Sequence, residues 1–217
     1  MLIDLNSILD TLAKYNVKIR GVLHIGAHNC EEIPFYLDVL KLNLNNIIWI
    51  EAIPNKVYAA TEERHIPNVY QAVITDKDDE DVVFYIANND QSSSVLEFGT
   101  HTQEHPGIVY NNQLRAKSIT IHSFFERNGL DGRLCNFWNF DIQGAELMAL
   151  RGATNYLQYV DALYLEVNEK ELYKGCGLIG EIDAFLAEHH FERVLTEMTG
   201  HGWGDALYMR EREPTQR

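Results

Sequence analysis

The sequence is poor in most of the features that place a protein quickly. Its three cysteines, Cys30, Cys135 and Cys176, lie far apart and form no CxxC pair. That argues against a disulfide framework and for a reducing compartment. No stretch approaches the roughly 20 apolar residues of a membrane-spanning helix. Basic residues are scarce and scattered: 18 Lys and Arg stand against 32 Asp and Glu, a formal charge of −14. A surface that acidic repels phosphate backbones, so nucleic acid is not an expected partner, and a neutral or positively charged ligand suits the field better. The segment MLIDLNSILDTLAKYN lacks the basic start and solid apolar stretch of a signal peptide. Leu5, Ile8, Leu9 and Leu12 instead follow helical spacing, so residues 1–20 are expected to hold an amphipathic helix. Together these absences point to the cytoplasm.

Two nucleotide-binding patterns are missing as well. G-x-x-x-x-G-K-[ST] occurs nowhere, which excludes a P-loop. The dinucleotide pattern G-x-G-x-x-G would need glycine at 28 and 31, where His28 and Glu31 stand. Glu31 and Glu32 would also repel a pyrophosphate. These departures argue against an NAD-dependent oxidoreductase.

What is present is a regular alternation. GVLHIGA precedes the helix-length EEIPFYLDVLKL, and NIIWIEAIP precedes NKVYAATEERH. NVYQAVIT and DVVFYIAN are strand-like runs on either side of the charged turn DKDDE. A polar stretch around 88–118 reads as loops, NNDQSSSVL and GTHTQEHPG among them. LCNFWNFDIQ, GAELMALRGATNYL and ALYLEVNEKEL follow, then a helix with Ile179, Ile182, Phe185 and Leu186 on one face. Near-continuous apolar strands separated by helices predict an α/β domain, its parallel sheet covered on both faces. The last two strands, joined by a short Gly-rich link, permit a hairpin and so an antiparallel edge strand. The expected organisation is the N-terminal helix, one domain over 21–210, and a frayed tail over 211–217.

Ligands of open parallel sheets bind beyond the carboxyl ends of the strands. Gly26 falls where the first strand ends, letting the chain turn tightly and a ligand approach. Glu51 ends the second strand, where a carboxylate can accept both hydroxyls of a ribose. An adenosine-type cofactor without a pyrophosphate grip fits the pair, and S-adenosylmethionine answers that description. A metal site at His24, His28 and Cys30 is disfavoured because the glycine breaks the strand periodicity that would align them. His24 by itself reads as a core histidine bonded to a neighbouring strand.

FDIQGAELMALRGA, residues 140–153, resembles the signature of the FkbM family of S-adenosylmethionine-dependent methyltransferases. LHIGAHNCEEIPFY, IEAIP, QAVITDKDDEDVVFYIANNDQSSSVL and LYLEV follow in that family's order, so the likeness covers about residues 20–170. Two positions depart from it. Cys30 replaces the second turn glycine, and its thiol would narrow the cofactor pocket or shift the loop. Gln143 replaces an acid and removes one charge. The resemblance implies a Rossmann-like class I methyltransferase sheet of seven strands, mostly parallel with an antiparallel last strand and helices on both faces. It implies O-methylation of a sugar, a glycan or a similar polyhydroxylated natural product.

On that basis Gly26, Ala27 and His28 would lie under the methionine part of the donor, with Glu51 on the ribose. Ala52 and Ile53 would flank the adenine, and Ala72 and Val73 would pass its edge. Asp141 either holds the methionine ammonium or acts as the base, unless it only caps the helix that follows. Glu166 is the next candidate base, and Glu146 reads as a helix-dipole contact. Ser92, Ser93, Ser94, His101 and His105 are candidates for acceptor binding, and Trp203 for stacking on a sugar ring. No metal is assigned. The competing readings are a metal-assisted catechol-type enzyme using Asp141, Glu166 and Asn168, and a non-catalytic domain that keeps the fold. Whether the chain stands alone or is one module of a larger glycan-synthesising enzyme is left open by the sequence.

Overall fold

A computed structural model describes residues 1–211. The strands in chain order are β1 (Val22–Ile25), β2 (Ile47–Glu51), β3 (Val69–Gln71), β4 (Val73–Ile74), β5 (Asp81–Ala87), β6 (Tyr110–Ile119), β7 (Phe137–Phe140), β8 (Ala162–Asn168), β9 (Phe191–Met198) and β10 (Trp203–Arg210). The α-helices are α1 (Leu5–Lys14), α2 (Pro54–Tyr58), α3 (His101–Glu104), α4 (Ile121–Arg127), α5 (Glu146–Arg151), α6 (Thr154–Leu157) and α7 (Ile179–Glu188).

Seven strands form the main sheet in the order β3-β2-β1-β7-β8-β10-β9. The neighbours from β3 to β8 pair in parallel, whereas β10 runs antiparallel to both β8 and β9. The expected sheet is therefore present. One detail differs: the last strand is not at the edge but inserts between β8 and β9. A short hairpin fixes the pairing of β9 with β10 but not which of the two meets the existing sheet.

Side chains alternate across the sheet, as the two-residue period of a strand requires. Leu23, Ile25, Ile48, Ile50, Trp138, Leu163 and Leu165 pack with Phe124, Leu150 and Ile182 of the helices on one face. Val22, Trp49, Phe137 and Tyr164 pack with Ile8 and Leu12 of α1 on the other. Asp4 starts α1 by accepting from the Ser7 amide at 3.0 Å, which satisfies one free N–H of the first turn.

Three further expectations are corrected. NVYQAVIT is not one strand: it breaks at Ala72, and β4 leaves for a separate three-stranded sheet of order β4-β6-β5. The Ala72 amide is used by the Glu51 carbonyl at 3.1 Å, so the chain still runs along the tip of β2. The polar stretch around 88–118 is not all loop. It contains α3 and the ten-residue β6, whose exposed face hides the apolar alternation a strand normally shows. EEIPFYLDVLKL yields only one wide, π-helical turn over Phe35–Val39, which buries Phe35 and Tyr36. Of the expected frayed tail, all but Glu211 lies outside the described residues.

Candidate active site

Parallel strands bring the carboxyl ends of β1, β2 and β7 to one edge, where two adjoining cavities open. After β1 the chain turns at Gly26 with φ +86°, and the amides of Gly26 and Ala27 both donate to the Ile50 carbonyl of β2. A Cβ at Gly26 would sit 1.8 Å from the Asp141 carbonyl oxygen. Only glycine lets the β1 turn close against the tip of β7.

Glu51 closes β2 almost fully buried, 6% exposed. One carboxylate oxygen accepts from the His28 amide at 2.7 Å and the other from the Ile53 amide at 2.8 Å. The carboxylate is thus held in one orientation, and each oxygen keeps lone-pair capacity for a further donor. Burial, the largest influence, pushes its titration upward, opposed by those amide bonds. An apolar crevice opens beside it, walled by Ile25, Ile50, Ile53, Ala72, Val73 and Phe84. Gly26, His28, Ala52 and Asp141 also line it. Ser93 is also on its wall. Ala27 lies buried beneath the turn and faces neither this crevice nor the cavity beside it.

A second cavity of about 460 Å³ adjoins the crevice, and Gly26, His28, Gln91 and Asp141 line both. Its walls include Glu166, Asp205, His24 and Glu32, with Tyr173 and Trp203. Ser92, His101 and His105 are there as well. Apart from Ala27 and Ser94, the site residues expected from the sequence therefore fall into two connected spaces.

Gln143 organises the floor. Its side-chain nitrogen donates to Asp141 at 2.7 Å and to Glu166 at 2.6 Å. Its side-chain oxygen accepts from the Tyr173 hydroxyl, and its carbonyl accepts from Ser94 Oγ at 2.9 Å. The residue sits at φ +56° and is followed by Gly144 at φ +95°. That bend keeps Asp141 out of the helix: α5 begins at Glu146 with Ala145 at its cap, so Asp141 is not an N-cap. Glu166 is buried, not a plain exposed strand end, and its titration is raised strongly by burial and by the neighbouring Asp141. Directly opposite Glu166 in the antiparallel pair stands Asp205. Like charges directly opposite each other across a strand pair are unfavourable. Glu146 accepts from the Ile142 amide at 2.9 Å; burial raises it to about 8, against the lowering that a dipole contact at a helix start gives.

Several side chains lie differently from expectation. Cys30 does not narrow the crevice. It adopts φ +52° and packs into the apolar cluster with Phe35, Tyr36 and Ala60, on neither cavity wall. The left-handed backbone explains why a glycine suits that position. The serine loop is not mobile surface: Ser92, Ser93 and Ser94 are all buried. Ser93 Oγ donates to the Asp90 carbonyl and accepts from the Ala87 amide, while Ser94 accepts from the Leu96 amide. His24 does not bond a neighbouring strand but the Tyr36 hydroxyl, at 2.9 Å. His101 stacks on Phe98 with ring centres 4.2 Å apart. Asn168 is buried with no hydrogen bond to either side-chain atom and faces neither cavity. Gln143 and Asp205 went unassigned in the sequence reading. No local pattern marks Asp205, and its meaning appears only with the β8–β10 register.

The strand order, with one antiparallel strand inserted beside the edge strand, is that of a class I methyltransferase sheet. The chain belongs to the FkbM methyltransferase domain family, whose model matches residues 24–193. Among solved structures it is similar to the methyltransferase FkbM from Methylobacillus flagellatus KT, at 13% identity and a TM-score of 0.54. That match covers 88% of this chain and 44% of the other, so the chain spans less than half that protein's length. It is also similar to magnesium protoporphyrin IX methyltransferase from Synechocystis PCC 6803, solved with bound SAM. There the identity is 11% and the TM-score 0.46, over 95% of this chain and 78% of the other. A SAM-dependent methyltransferase from Aquifex aeolicus matches at 13% identity and a TM-score of 0.45, over 96% and 90%. No curated protein matches the sequence.

Proposed function

We propose that the protein is an S-adenosylmethionine-dependent O-methyltransferase acting on a hydroxyl of a sugar, glycan or similar polyhydroxylated molecule. One observation carries the reading: an apolar crevice ending at a fixed carboxylate and a roomy polar cavity meet at Gly26 and Asp141. A nucleoside-bearing donor suits the first space and a polar acceptor the second.

The residues fit the donor. Glu51 offers two anchored oxygens to a pair of ribose hydroxyls, and the aliphatic wall of Ile50, Ile53 and Ala72 suits an adenine ring. The carboxylates beyond Gly26 suit a cationic methionine part, and no glycine-rich cradle for a diphosphate is present in the turn. When bound, the donor supplies a methyl group on a positively charged sulfur. The chain's own task is to hold the acceptor oxygen in line with that methyl and to take the hydroxyl proton. Alignment of this kind is worth roughly 7–11 kcal/mol of barrier, and a placed base adds about 10²–10⁴-fold.

Asp141 is the group at the junction and the residue assigned to receive the proton or to hold the donor's ammonium. Gln143 keeps it oriented and shares its amide with Glu166. The catechol-type alternative needs Asp141, Glu166 and Asn168 to converge on one cation. Here the amide of Gln143 stands between the two carboxylates, and Asn168 lies off the cavity.

The test is methyl transfer from labelled S-adenosylmethionine to a panel of sugars and glycans, with and without EDTA. Labelled methyl ether product that survives EDTA is expected. Donor consumption with the label on carbon or nitrogen, or none in the presence of every hydroxylated acceptor, would reject the assignment.

A further inference from the structure

Tyr173 is 1% exposed, yet its side chain borders the polar cavity. It comes from the segment after β8 and is fixed from two sides. Phe98 and His101 lie against its ring, with centres 5.6 and 5.3 Å away. The same two segments are joined by backbone bonds: the Gly99 and His101 amides donate to the Leu172 carbonyl at 2.7 and 3.1 Å, and the Lys174 amide donates to the Glu97 carbonyl at 2.8 Å. Against the other side lies the Gly144 bend, where an added Cβ would come within 3.1 Å of Tyr173 Cβ. Held in this way, the hydroxyl donates to Gln143 Oε1. Burial first, and Glu166 next, push the ionisation of the phenol far above its ordinary range, so it stays a donor at every pH used in an assay.

An amide has two unlike ends, and this one stands between unlike neighbours. The Gln143 nitrogen carries two hydrogens and directs them to Asp141, at 2.7 Å, and to Glu166, at 2.6 Å. Turned end for end, the amide would set its oxygen against both acids, and each contact would then need a carboxyl proton. It would also aim its N–H groups at the phenol and take Oε1 away from the phenol's hydrogen. The Tyr173 hydroxyl therefore favours one orientation, and that orientation favours carboxyls without protons. The other groups around the pair do not do this. Glu146 and Asp205 act on Glu166 as like charges, Glu32 is a further acid beside Asp141, and burial keeps His24 neutral by lowering its titration to about 4. The Met1 amine acts on Glu32 and Asp205.

We propose that Tyr173 is a positioning residue for the transfer: its hydroxyl sets the Gln143 amide so that the nitrogen end, not the oxygen end, meets Asp141 and Glu166. The proposal rests on the methyltransferase reading above and holds for either role of Asp141, since receiving a proton and holding an ammonium both need a carboxylate. Tyr173 acts through Gln143 and not by contact with the donor. A carboxylate at 143 would accept from the phenol equally well but would give no N–H to its neighbours, so the phenol and the glutamine work as a unit.

The experiment measures the affinity of S-adenosylmethionine by calorimetry from pH 5 to 9, with thermal unfolding of each sample, for wild type, Tyr173→Phe, Gln143→Met and the double variant. Tyr173→Phe keeps the ring between Phe98, His101 and Gly144 and removes one oxygen. At pH 9, where no proton competes with the donor's positive charge, its affinity should match wild type within twofold. As pH falls, the variant should lose affinity at a midpoint about one unit higher than wild type, the size set by one hydrogen bond. Glu51 contributes the same pH dependence to every variant, so the difference between proteins isolates the amide. Gln143→Met removes both N–H donors and should shift the midpoint at least as far. Adding Tyr173→Phe to it should change nothing further, because the hydroxyl has lost the group it acts through. An unchanged midpoint in Tyr173→Phe or in folded Gln143→Met, a loss of affinity equal at every pH, or additive shifts in the double variant overturns the proposal. Failure of the wild-type chain to bind S-adenosylmethionine at any pH would instead overturn the methyltransferase reading, so the two failures are told apart.

Discussion

Replacing Glu51 by alanine tests the donor site at its firmest point. In the folded protein each Glu51 oxygen already accepts one backbone N–H, at 2.7 and 2.8 Å. Two ribose hydroxyls would add two bonds to a charged acceptor, each worth about 1.5–3 kcal/mol. Burial works against the ionised form, so the lower end of that sum, about 3 kcal/mol, is the better expectation. That is roughly a hundredfold loss of affinity. The substitution also strands the His28 and Ile53 amides, at about 1–3 kcal/mol each where water cannot reach. His28 is partly exposed and recovers some of this cost. A domain in the middle or upper part of the usual range of about 5–15 kcal/mol survives a loss of about 2–6 kcal/mol. Calorimetry with S-adenosylmethionine, alongside thermal unfolding of the same sample, separates the two effects. Glu51→Gln, which keeps one acceptor oxygen, should fall between wild type and alanine. A folded Glu51→Ala protein binding the donor within threefold of wild type would refute the ribose assignment and with it the docking of the donor in the crevice.

Three further substitutions follow from the same geometry. Asp141→Asn should reduce turnover by at least 10²-fold in the labelled-methyl assay; donor affinity retained in calorimetry assigns Asp141 to the proton, whereas affinity lost with it assigns it to the ammonium. Gly26→Ala should give little folded protein or a melting temperature many degrees lower, because φ is +86° and the new Cβ would lie 1.8 Å from the Asp141 carbonyl oxygen; an unchanged melting temperature would show that the turn can move. Glu146 carries a titration raised from 4.5 to about 8, so the folded state keeps its proton where the unfolded state has lost it. Between about pH 4.5 and 8 its contribution therefore falls as pH rises, and above 8 the full penalty applies. Glu146→Gln should accordingly be more stable than wild type near pH 9 and show a flatter decline from pH 6 to 9 in chemical denaturation; parallel pH profiles would refute this.

Much of the frame was legible in the sequence because buried parallel strands are nearly continuous apolar runs. VLHI, IIWIE, FWNF and ALYLEVN each became a strand of the main sheet, and Gly26 and Glu51 stand at the tips where the apolar runs end. Side-chain direction was less legible. Cys30 looked like an obstacle because a turn residue after a strand faces the ligand as often as the core, and only φ +52° decides it. The serines at 92–94 looked like loop surface because a polar run carries no sign of burial. Their hydroxyls in fact close a tight turn and tether Gln143. β6 was missed because its sheet is small and one face is wet, so the apolar alternation is thin. Asp205 needed the register of a strand inserted out of sequence order, which local pattern does not contain.

The acids of the site explain one another only when the ligands are considered. Buried carboxylates cost stability unless paired, yet Glu51, Glu146, Glu166 and Asp205 are all held in places that push their titrations upward. The fold reduces the cost with neutral donors: backbone amides at Glu51, the Gln143 amide between Asp141 and Glu166, and the Tyr164 hydroxyl at Asp205. Neutral donors orient a carboxylate without cancelling its charge. A lysine or arginine among them would stabilise the empty protein more, and would also repel a sulfonium or an ammonium. An acid at position 143 would act in the other direction, setting a third carboxylate beside Asp141 and Glu166. A glutamine there meets both requirements at once: it holds Asp141 and Glu166 in place and leaves their field available to a positively charged guest.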